Sequence, residues 1–359
     1  MQKIITVVGA RPQFIKAATL SRQFPKVGVE EIIIHTGQHF DNNMSDVFFE
    51  EMEIPRPAYH LDIHNLTHGA MTGRMLEGIE KILLKEKPDG MLVYGDTNST
   101  LAGALAAVKL NIPVIHVEAG LRSFNMEMPE EINRILTDRI SSLLFCPTDV
   151  AVENLKRESF EHFPARIIKN GDVMQDAALY YASKAEEKSD ILQKIGVEKF
   201  VLATIHRQEN TDHPEKLRNI VEGLNQIHRQ MRVIVPLHPR TRKILNQLSI
   251  VPEFTIIDPV GYFDMIVLEK SCELIVTDSG GVQKEAFFFG KHCITLREQT
   301  EWTELVENGF NILVGSDVEK LLQVFATFQN KKSDFSIDLY GNGHAAEKAA
   351  KEIAAYRMF

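Results

Sequence analysis

Three carboxylates whose positions suit proton transfer at carbon occur in the first half of the sequence. Asp96 comes shortly after the apolar run 90–94, Glu118 directly follows the run 114–117, and Glu130 opens the next helical pattern. Because the carboxyl ends of parallel strands meet at one edge of a sheet, we expect Asp96 and Glu118 to face the same ligand. Gathered carboxylates raise one another's pKa and can divide the duties of acid and base. Helix capping and metal ligation are the alternatives.

The first predicted strand runs into the segment GARPQFIK at 9–16, which could bind an anion. A glycine-bearing turn into a helix presents backbone N–H groups and the positive end of the helix dipole, and this segment also carries Arg11 and Lys16. The segment is neither a GxGxxG fingerprint nor a P-loop, so nicotinamide binding and ATP hydrolysis lose their usual sequence support. A tight turn with solvated basic side chains is the alternative.

Polar clusters also follow strands in the second half. His206 and Arg207, in IHRQEN, come after the run 200–204 and are suited to meet a diphosphate or to donate a proton. His238 follows a later strand in the same way, and we interpret it as a hydrogen-bonded turn residue.

The strongest local signal is TDSGGVQKE at 277–285. Ser279, Gly280 and Gly281 allow a phosphate to approach the backbone closely at the start of a helix. Glu285 lies about a turn and a half into that helix, within reach of a ribose diol. This segment therefore predicts a nucleotide site.

Two parallel sheets are needed to position these residues. Short apolar runs alternate with helical patterns along the chain, which predicts βαβ units. The predicted strands are 4–8, 32–35, 90–94, 114–117 and 143–146 in the first half and 200–204, 233–237, 254–257, 274–277 and 293–296 in the second. A turn cluster followed by a charged helix predicts a hinge between residues 170 and 185. The predicted fold class is α/β with two Rossmann-like domains.

The composition is that of an ordinary globular protein. The 359 residues exceed the usual size of one core, and the 44% hydrophobic share can fill two. The net charge of -9 argues against nucleic-acid binding. Cys146, Cys272 and Cys293 show no metal or redox spacing, so we expect buried free thiols. Neither a signal peptide nor a membrane-spanning run is recognised, so we expect a cytoplasmic protein without membrane contact.

Taken together, these segments resemble the non-hydrolysing UDP-N-acetylglucosamine 2-epimerases, and the resemblance runs nearly end to end. The segments that carry it are GARPQFIK at 9–16, TGQH at 36–39, GDT at 95–97, HVEAGLRS at 116–123, PEEINR at 129–134, IHRQEN at 205–210 and TDSGGVQKE at 277–285. The resemblance implies a glycosyltransferase-B arrangement with a cleft between the domains. These would be residues 1–172 and 173–343, with a helix at 344–359 that joins the first domain.

The resemblance also implies a reaction and its site residues. UDP would be eliminated across C1–C2 of UDP-N-acetylglucosamine and re-added to the resulting 2-acetamidoglucal, giving UDP-N-acetylmannosamine without a cofactor or a metal. The implied catalytic residues are Asp96, Glu118, Glu130 and His206. The implied UDP-sugar ligands are Arg11, Lys16, Arg134, Arg207, Asn210, Ser279, Gly280, Gly281 and Glu285. We further expect a homodimer that serves cell-surface polysaccharide synthesis.

The sequence departs from the family pattern at two places. Where many members read TERPE, this chain has TEWTE at 300–304, so a modified UDP sugar such as UDP-2,3-diacetamido-2,3-dideoxy-glucuronate is an alternative substrate. Bacterial members are often activated by a second UDP-N-acetylglucosamine, bound partly through a TGQH-like loop. Gln38, His39 and Arg74 are the candidates for such an allosteric site, although the two residues after His39 differ from the usual pattern.

Three other functions compete with epimerisation. A glycosyltransferase of the same fold would also bind UDP, but it needs one base or none, whereas this chain gathers three carboxylates. A hydrolysing epimerase would release UDP and free N-acetylmannosamine, which product analysis distinguishes. A nucleotide-sugar sensor would bind without turnover, and a turnover assay tests it.

Overall fold

Two units make up the chain, each built around its own parallel sheet. The computed structural model describes residues 2–38, 53 and 55–356, except for the side chain of Arg11. Unit 1 comprises residues 1–177 and 338–359, and unit 2 comprises residues 178–337. The boundaries expected from the sequence, 172/173 and 343/344, lie a few residues from these.

The sheets of both units have Rossmann-type strand order. The described strands are β1 (Gln2–Val8), β2 (Val29–His35), β3 (Tyr59–His60), β4 (Gly90–Tyr94), β5 (Val114–Val117), β6 (Leu143–Cys146), β7 (Arg166–Lys169), β8 (Val201–Thr204), β9 (Val233–Pro236), β10 (Thr255–Ile257), β11 (Leu274–Thr277), β12 (Cys293–Thr295) and β13 (Asn311–Leu313). Their order is β3-β2-β1-β4-β5-β6-β7 in unit 1 and β10-β9-β8-β11-β12-β13 in unit 2, with parallel pairing throughout these strands. The predicted α/β class is therefore confirmed.

Helices connect successive strands and cover the sheets. The described helices are α1 (Arg11–Ser21), α2 (Phe24–Val27), α3 (His68–Glu86), α4 (Asn98–Lys109), α5 (Pro129–Ile140), α6 (Asp149–Arg157), α7 (Val173–Lys188), α8 (Ile191–Ile195), α9 (Gln208–Thr211), α10 (Pro214–His228), α11 (Pro239–Gln247), α12 (Tyr262–Ser271), α13 (Gly280–Phe288), α14 (Thr303–Glu307), α15 (Val318–Asn330) and α16 (Ala345–Ala355). The hinge predicted for 170–185 is helical from Val173 onward.

Helix α4 shows how small residues set the geometry of unit 1. It begins after Thr97, whose hydroxyl accepts a hydrogen bond from the N–H of Thr100 at 3.3 Å and caps the helix. A Cβ built on Gly103 would lie 3.2 Å from Val93 of β4 and 3.3 Å from Val7 of β1, so the helix lies very close to the sheet. This close packing fixes the loop between β4 and α4, which carries Asp96.

The core of unit 2 lies between its sheet and two amphipathic helices. Leu217 and Leu224 of α10 and Leu321 and Phe325 of α15 are buried against the strands. Each such side chain contributes about 1.5–3 kcal/mol when it is removed from water. The resulting sheet is a firm base for the loops at its carboxyl edge.

Residues 338–356 complete unit 1. The N–H of Asp172 donates to the carbonyl of Tyr340 at 2.7 Å. The Asp176 carboxylate accepts hydrogen bonds from the N–H groups of Ala345 at 3.0 Å and Ala346 at 2.8 Å, and so caps α16 from another helix. Helix α16 packs against α1 and α2.

Each strand predicted from the sequence is present, with ends shifted by up to a few residues. Strands β3, β7 and β13 were not predicted, and each forms an edge of its sheet. Cys146, Cys272 and Cys293 are buried and free, as expected. No helix of the described residues is long and apolar enough to cross a membrane.

Candidate active site

Each sheet has a switch point at which neighbouring strands connect onward in opposite directions. It lies between β1 and β4 in unit 1, and between β8 and β11 in unit 2. Ligands of open α/β sheets bind outside the carboxyl ends of the strands at such points. The loop segments at these ends are 9–16 and 95–99 in unit 1, and 205–210 and 278–285 in unit 2. Each unit therefore contains one candidate site, in the segments that the sequence singled out.

Gln13 joins the two loops of the unit 1 site. Its Oε1 accepts from the N–H groups of Gly9 at 2.8 Å and Ala10 at 3.1 Å, and its Nε2 donates to the carbonyl of Tyr94 at 2.9 Å and to Thr97 Oγ1 at 3.0 Å. Gln13 is buried, so these bonds are shielded from water. Gln13 was not predicted to have a role, because Tyr94 and Thr97, which it joins to the first loop, lie more than 80 residues away.

The two strand-end carboxylates lie next to Gly95. A Cβ built on Gly95 would lie 3.2 Å from both Glu118 Oε2 and Lys16 Nζ, so Glu118 comes close to the residue that precedes Asp96. Glu118 forms an ion pair with Lys16, and Asp96 forms one with Arg134. The structure thus places Glu118 beside the loop that carries Asp96 and sets a cation beside each carboxylate.

Glu118 has an unusual backbone conformation. Its φ is 73°, in the left-handed region that residues other than glycine rarely adopt. The N–H groups of Glu118 and Ala119 both donate to the carbonyl of Phe145, at 3.1 and 3.0 Å, and hold this conformation in place. Such strain costs on the order of 1–3 kcal/mol and is concentrated at functional sites. The backbone conformation therefore supports a functional role for Glu118.

A buried charge network supports the loop that carries Asp96. His116 lies between the Asp138 carboxylate, 2.7 Å from its Nδ1, and the carbonyl of Gly95, 2.7 Å from its Nε2. Both neighbours are acceptors, so the geometry assigns a proton to each ring nitrogen. Asp138 also accepts from Arg122 at 2.7 Å, and Arg122 forms a two-pronged ion pair with Glu158 at 2.6 and 2.8 Å. His116 and Asp138 are completely buried.

Asp138 was not recognised from the sequence as part of the site. A signal was present, because Glu131, Arg134 and Asp138 recur at the spacing of one helix face, and all three are buried in α5. Three charged residues on the buried face of a helix require partners. Those partners come from distant segments, which a linear pattern does not reveal.

The two adjacent acids at the start of α5 have different surroundings. Glu131 is buried and accepts hydrogen bonds from the N–H groups of Ser123 and Phe124, each at 2.9 Å. Glu130 is exposed and forms no side-chain hydrogen bond with a described residue. One turn later, Asn133 donates to the carbonyl of Asp96 at 2.9 Å, which sets this end of α5 beside the carboxylate loop.

Asp278 is the centre of the unit 2 site. This buried carboxylate accepts hydrogen bonds from the N–H groups of His206 at 3.0 Å and Arg207 at 3.0 Å, and from the side-chain amide of Asn210 at 3.2 Å. His206 Nδ1 lies 3.2 Å from the other carboxylate oxygen, and the imidazole is half exposed. Asp278 thus holds segment 205–210 against the segment that begins α13. It was quoted in a motif but not predicted as a site residue.

The start of α13 has the backbone geometry that suits an anion. Ser279 caps the helix and accepts from the N–H of Val282 at 3.5 Å, which is the ordinary capping role of serine. A Cβ built on Gly281 would meet no atom closer than 3.9 Å, whereas one on Gly280 would lie 2.6 Å from a Glu301 oxygen. Gly280 therefore allows segment 297–302 to approach the loop.

Glu285 lies beside a second buried carboxylate. Burial and the neighbouring Glu285 carboxylate raise the pKa of Glu269 well above its ordinary value. Glu269 is completely buried, and Glu285 is only 8% exposed. The raised pKa favours the protonated form of Glu269 beside Glu285.

The segment TEWTE lies next to the same loop. The indole nitrogen of Trp302 would be 3.7 Å from a Cβ built on Gly280. The Lys284 ammonium lies 3.9 Å from the centre of the Trp302 ring, within cation–π distance. Thr300 donates to Gln283 at 2.7 Å, and Arg297 pairs with Glu301 at 3.0 Å. This departure from the family pattern therefore directly adjoins the predicted diphosphate loop.

Two of the three residues predicted for an allosteric site, Gln38 and Arg74, are among the described residues. Gln38 Oε1 accepts two hydrogen bonds from Ser99, one from its N–H at 3.1 Å and one from its hydroxyl at 2.7 Å. Gln38 therefore supports the start of α4. Arg74 is exposed on α3. His39 and the side chain of Arg11 lie outside the described residues.

Comparison with known proteins identifies the family of the chain. The family model for UDP-N-acetylglucosamine 2-epimerase matches residues 24–354. The UDP-2,3-diacetamido-2,3-dideoxy-D-glucuronate 2-epimerase of Pseudomonas aeruginosa is 56% identical over 354 residues, covering 98% of this chain and 99% of that protein. The UDP-N-acetylglucosamine 2-epimerase of Methanocaldococcus jannaschii is 46% identical over 361 residues, covering 97% and 98%.

Solved structures lead to the same assignment. The crystal structure of the Methanocaldococcus jannaschii enzyme in complex with UDP-GlcNAc and UDP is similar, with a TM-score of 0.90 and 45% identity over 99% of this chain and 100% of that chain. The fold and these comparisons define an α/β enzyme with two Rossmann-like units. The chain belongs to the UDP-N-acetylglucosamine 2-epimerase family and is an isomerase.

Proposed function

We propose that this enzyme inverts C2 of UDP-2,3-diacetamido-2,3-dideoxy-D-glucuronate. The observation that carries the proposal is the 56% identity, over nearly the full length, to the Pseudomonas aeruginosa enzyme of that name, against 46% to the Methanocaldococcus jannaschii UDP-N-acetylglucosamine 2-epimerase. The Trp302 segment beside Gly280 adds support, because a change next to the diphosphate loop is well placed to alter substrate choice. UDP-N-acetylglucosamine is the second candidate, since it gives the family its name.

The proposed reaction is an elimination followed by an addition. A base removes the proton from C2, the C1–O bond breaks with its electron pair leaving on UDP, and a C1=C2 double bond forms. UDP then adds back to C1, and a proton returns to C2 on the opposite face. Asp96 and Glu118 suit the proton transfers because both lie at Gly95, and Glu130 is the third proposed acid.

The proposed nucleotide ligands are mostly in unit 2. Ser279, Gly280 and Gly281 offer a helix start to the diphosphate, and Glu285 is proposed to accept from the ribose hydroxyls. His206 is proposed to assist departure of the diphosphate, since its imidazole is half exposed and its Nδ1 is held by Asp278. The remaining proposed ligands are Arg11, Lys16, Arg134, Arg207 and Asn210.

The test of the substrate is a pair of separate incubations. The enzyme is mixed with UDP-2,3-diacetamido-2,3-dideoxy-D-glucuronate or with UDP-N-acetylglucosamine in deuterated water, and products are followed by NMR. We expect the manno epimer, deuterated at C2, to form from the diacetamido-uronate with at least tenfold higher kcat/KM. A higher kcat/KM on UDP-N-acetylglucosamine would show that this sugar is the preferred substrate. Release of free sugar together with UDP would show that the enzyme hydrolyses its substrate instead.

Replacing Glu285 with alanine is expected to weaken UDP binding by about 1–3 kcal/mol, the range for losing a hydrogen bond to a charged group. The variant is expected to fold, because the change removes a negative charge beside buried Glu269. Calorimetric titration with UDP measures the effect, and Glu222→Ala, an exposed acid on α10, is the matched control. Equal UDP affinity in the two variants would show that Glu285 does not bind the ribose.

We also propose that the enzyme works in the cytoplasm as a homodimer, in the supply of sugars for cell-surface polysaccharides. Light scattering coupled to size-exclusion chromatography tests the dimer. Gln38, His39 and Arg74 remain our proposal for an allosteric UDP-sugar site. Activation by added UDP-N-acetylglucosamine that is lost in Arg74→Ala would support that site, and an unchanged response would remove Arg74 from it.

A further inference from the structure

A cavity of about 720 Å³ opens at the amino edge of the unit 2 sheet. Its lining residues Lys199, Glu273 and His292 lie at the amino ends of β8, β11 and β12. The predicted UDP loops follow the carboxyl ends of β8 and β11. Strands of four residues separate the two edges by about 13 Å, at about 3.3 Å per residue. This amino-edge cavity is therefore distinct from the predicted UDP-binding loops.

Part of the lining of the amino-edge cavity is aromatic. The ring of His292 stacks on Phe328, with centroids 4.5 Å apart and planes 14° apart, and meets Phe335 edge-on at 5.2 Å. Phe325 and Met231 extend this apolar surface. His292 is held by Ser333, whose hydroxyl oxygen is 2.8 Å from Nε2. His292 and Phe328 are buried, and the Lys331 ammonium lies 5.5 Å from the centre of the Phe328 ring, so the half-buried Phe335 is the least buried of these rings.

Another part of the lining is cationic. Lys199, Lys291, Lys331 and Lys332 line it, and Glu273 is its one acidic lining residue. The cavity lining is therefore locally positive, although the whole chain has a net charge of -9. Lys331 donates to the carbonyl of Gly309 at 2.6 Å. The other three lysines form no ion pair with any described residue.

The state of His292 agrees with this electrostatic environment. Burial, together with the nearby Lys331 ammonium, lowers the pKa of His292 to about 4. The imidazole is therefore neutral near pH 7 and serves as a stacking surface. The positive charge of the site comes from the lysines alone.

We propose that the amino-edge cavity binds a phosphorylated aromatic small molecule of the nucleotide class. Its base would stack on Phe335, the least buried ring of the lining, and its phosphates would lie between the lysine ammonium groups. The volume falls in the range of about 300–1,000 Å³ that is usual for small-molecule sites, which favours a nucleotide over a folded partner. The inference does not depend on which UDP sugar the enzyme converts.

The test uses ATP as the probe and the ring signals of His292 as a local readout. Histidine-labelled enzyme is titrated with ATP, and the His292 signal is assigned with His292→Gln. We expect ATP to shift this signal in the wild-type enzyme and in Glu285→Ala, because the two sites are separate. A response in the wild type that disappears in Glu285→Ala would overturn the proposal, even if UDP binding behaves as predicted.

Reversing the charge of two lysines that line the cavity supplies the decisive comparison. The double variant K291E/K332E is expected to weaken ATP binding at least about tenfold, since two favourable ion pairs become repulsive. The matched control K243E/K320E reverses two exposed lysines elsewhere in unit 2 and should bind ATP as the wild type does. Unchanged far-UV circular dichroism and UDP affinity verify folding of both. Equal ATP affinity in the two double variants, or no His292 shift at millimolar ATP, would overturn the proposal.

Two further probes test the two halves of the ligand. Tripolyphosphate carries the charge without the base, and adenosine carries the base without the charge. We expect each to bind at least tenfold more weakly than ATP. Tripolyphosphate that binds as tightly as ATP would contradict the aromatic half of the proposal, and adenosine that binds as tightly as ATP would contradict the lysine half.

Discussion

Replacing Asp96 with asparagine is expected to lower kcat by about 10²–10⁴-fold, the usual contribution of a positioned acid or base. The amide keeps the size of the side chain but cannot take up a proton at pH 7. The loop should stay in place, because Gln13 and Asn133 hold its backbone, and Arg134 retains its ion pair with Glu131 at 3.0 Å. UDP affinity is expected to change by less than about threefold, since the proposed nucleotide ligands are mostly in unit 2.

The measurement combines turnover with isotope exchange. In deuterated water the wild-type enzyme should place deuterium at C2 of the epimer, and label in the oxygen that bridges C1 and the diphosphate should scramble. Asp149→Asn, which changes an exposed acid paired with Lys169, is the control and should keep wild-type kcat. Full activity of Asp96→Asn would remove this carboxylate from the reaction. Epimer that keeps its original hydrogen at C2 would instead favour a redox route at a neighbouring carbon.

Replacing Asp138 with asparagine is expected to lower the free energy of unfolding of unit 1 by about 3–5 kcal/mol, the usual loss when one partner of a buried ion pair is removed. The carboxylate is completely buried between His116 and Arg122, and it also accepts from the N–H of Gly120 at 3.1 Å. Its loss leaves the charge of His116 without a counter-ion. Among the described residues, Arg122 keeps its ion pair with Glu158 and its hydrogen bond to the carbonyl of Leu121.

Urea unfolding checks this expectation, with a probe in unit 1 because two units need not unfold together. Glu158→Gln is the comparison, since it removes the other partner of Arg122. The Glu158 side chain is 32% exposed, so its loss should have a smaller effect. An Asp138→Asn variant as stable as the wild type would mean that the network does not support the fold.

The same network predicts that the stability of unit 1 depends on pH in the acidic range. Burial alone would raise the pKa of Asp138, but the hydrogen bonds and charges of His116 and Arg122 outweigh it, and the pKa lies below its ordinary value. A carboxyl group with a lowered folded-state pKa stabilises the fold above its unfolded-state pKa, about 3.9. This contribution is lost as the pH falls through the lower folded-state value. The stability of Asp138→Asn should therefore fall less steeply below pH 4 than that of the wild type.

The sequence predicted the central strands more reliably than the edges. Strands such as β4 and β6 are buried on both faces, and their continuous apolar runs are easy to recognise. The unpredicted strands are all at edges. Strand β7 begins and ends with the exposed charged residues Arg166 and Lys169, and β3 has only two residues. An edge strand is partly in water, so its composition resembles that of a loop.

In the candidate site, the sequence singled out the loops but not their supports. Asp96, Glu118 and Ser279 were singled out because each follows a strand at the edge where ligands bind. Gln13 and Asp278 were not, since their roles lie in bonds to segments about 70 to 80 residues away in sequence. A buried amide or carboxylate that holds two loops together has no local pattern. Only the folded chain reveals what it joins.

The discontinuity of unit 1 affects how the protein can fold during its synthesis. Residues 338–356, with the helix that Asp176 caps, follow the whole of unit 2 in the sequence. At about 5–20 residues per second, the ribosome needs on the order of ten to thirty seconds to translate unit 2 after the first part of unit 1 has emerged. Throughout that interval the surface of α1 and α2 that α16 later covers is open to chaperones and to other nascent chains. Unit 2, being contiguous, can be completed before the unit that precedes it.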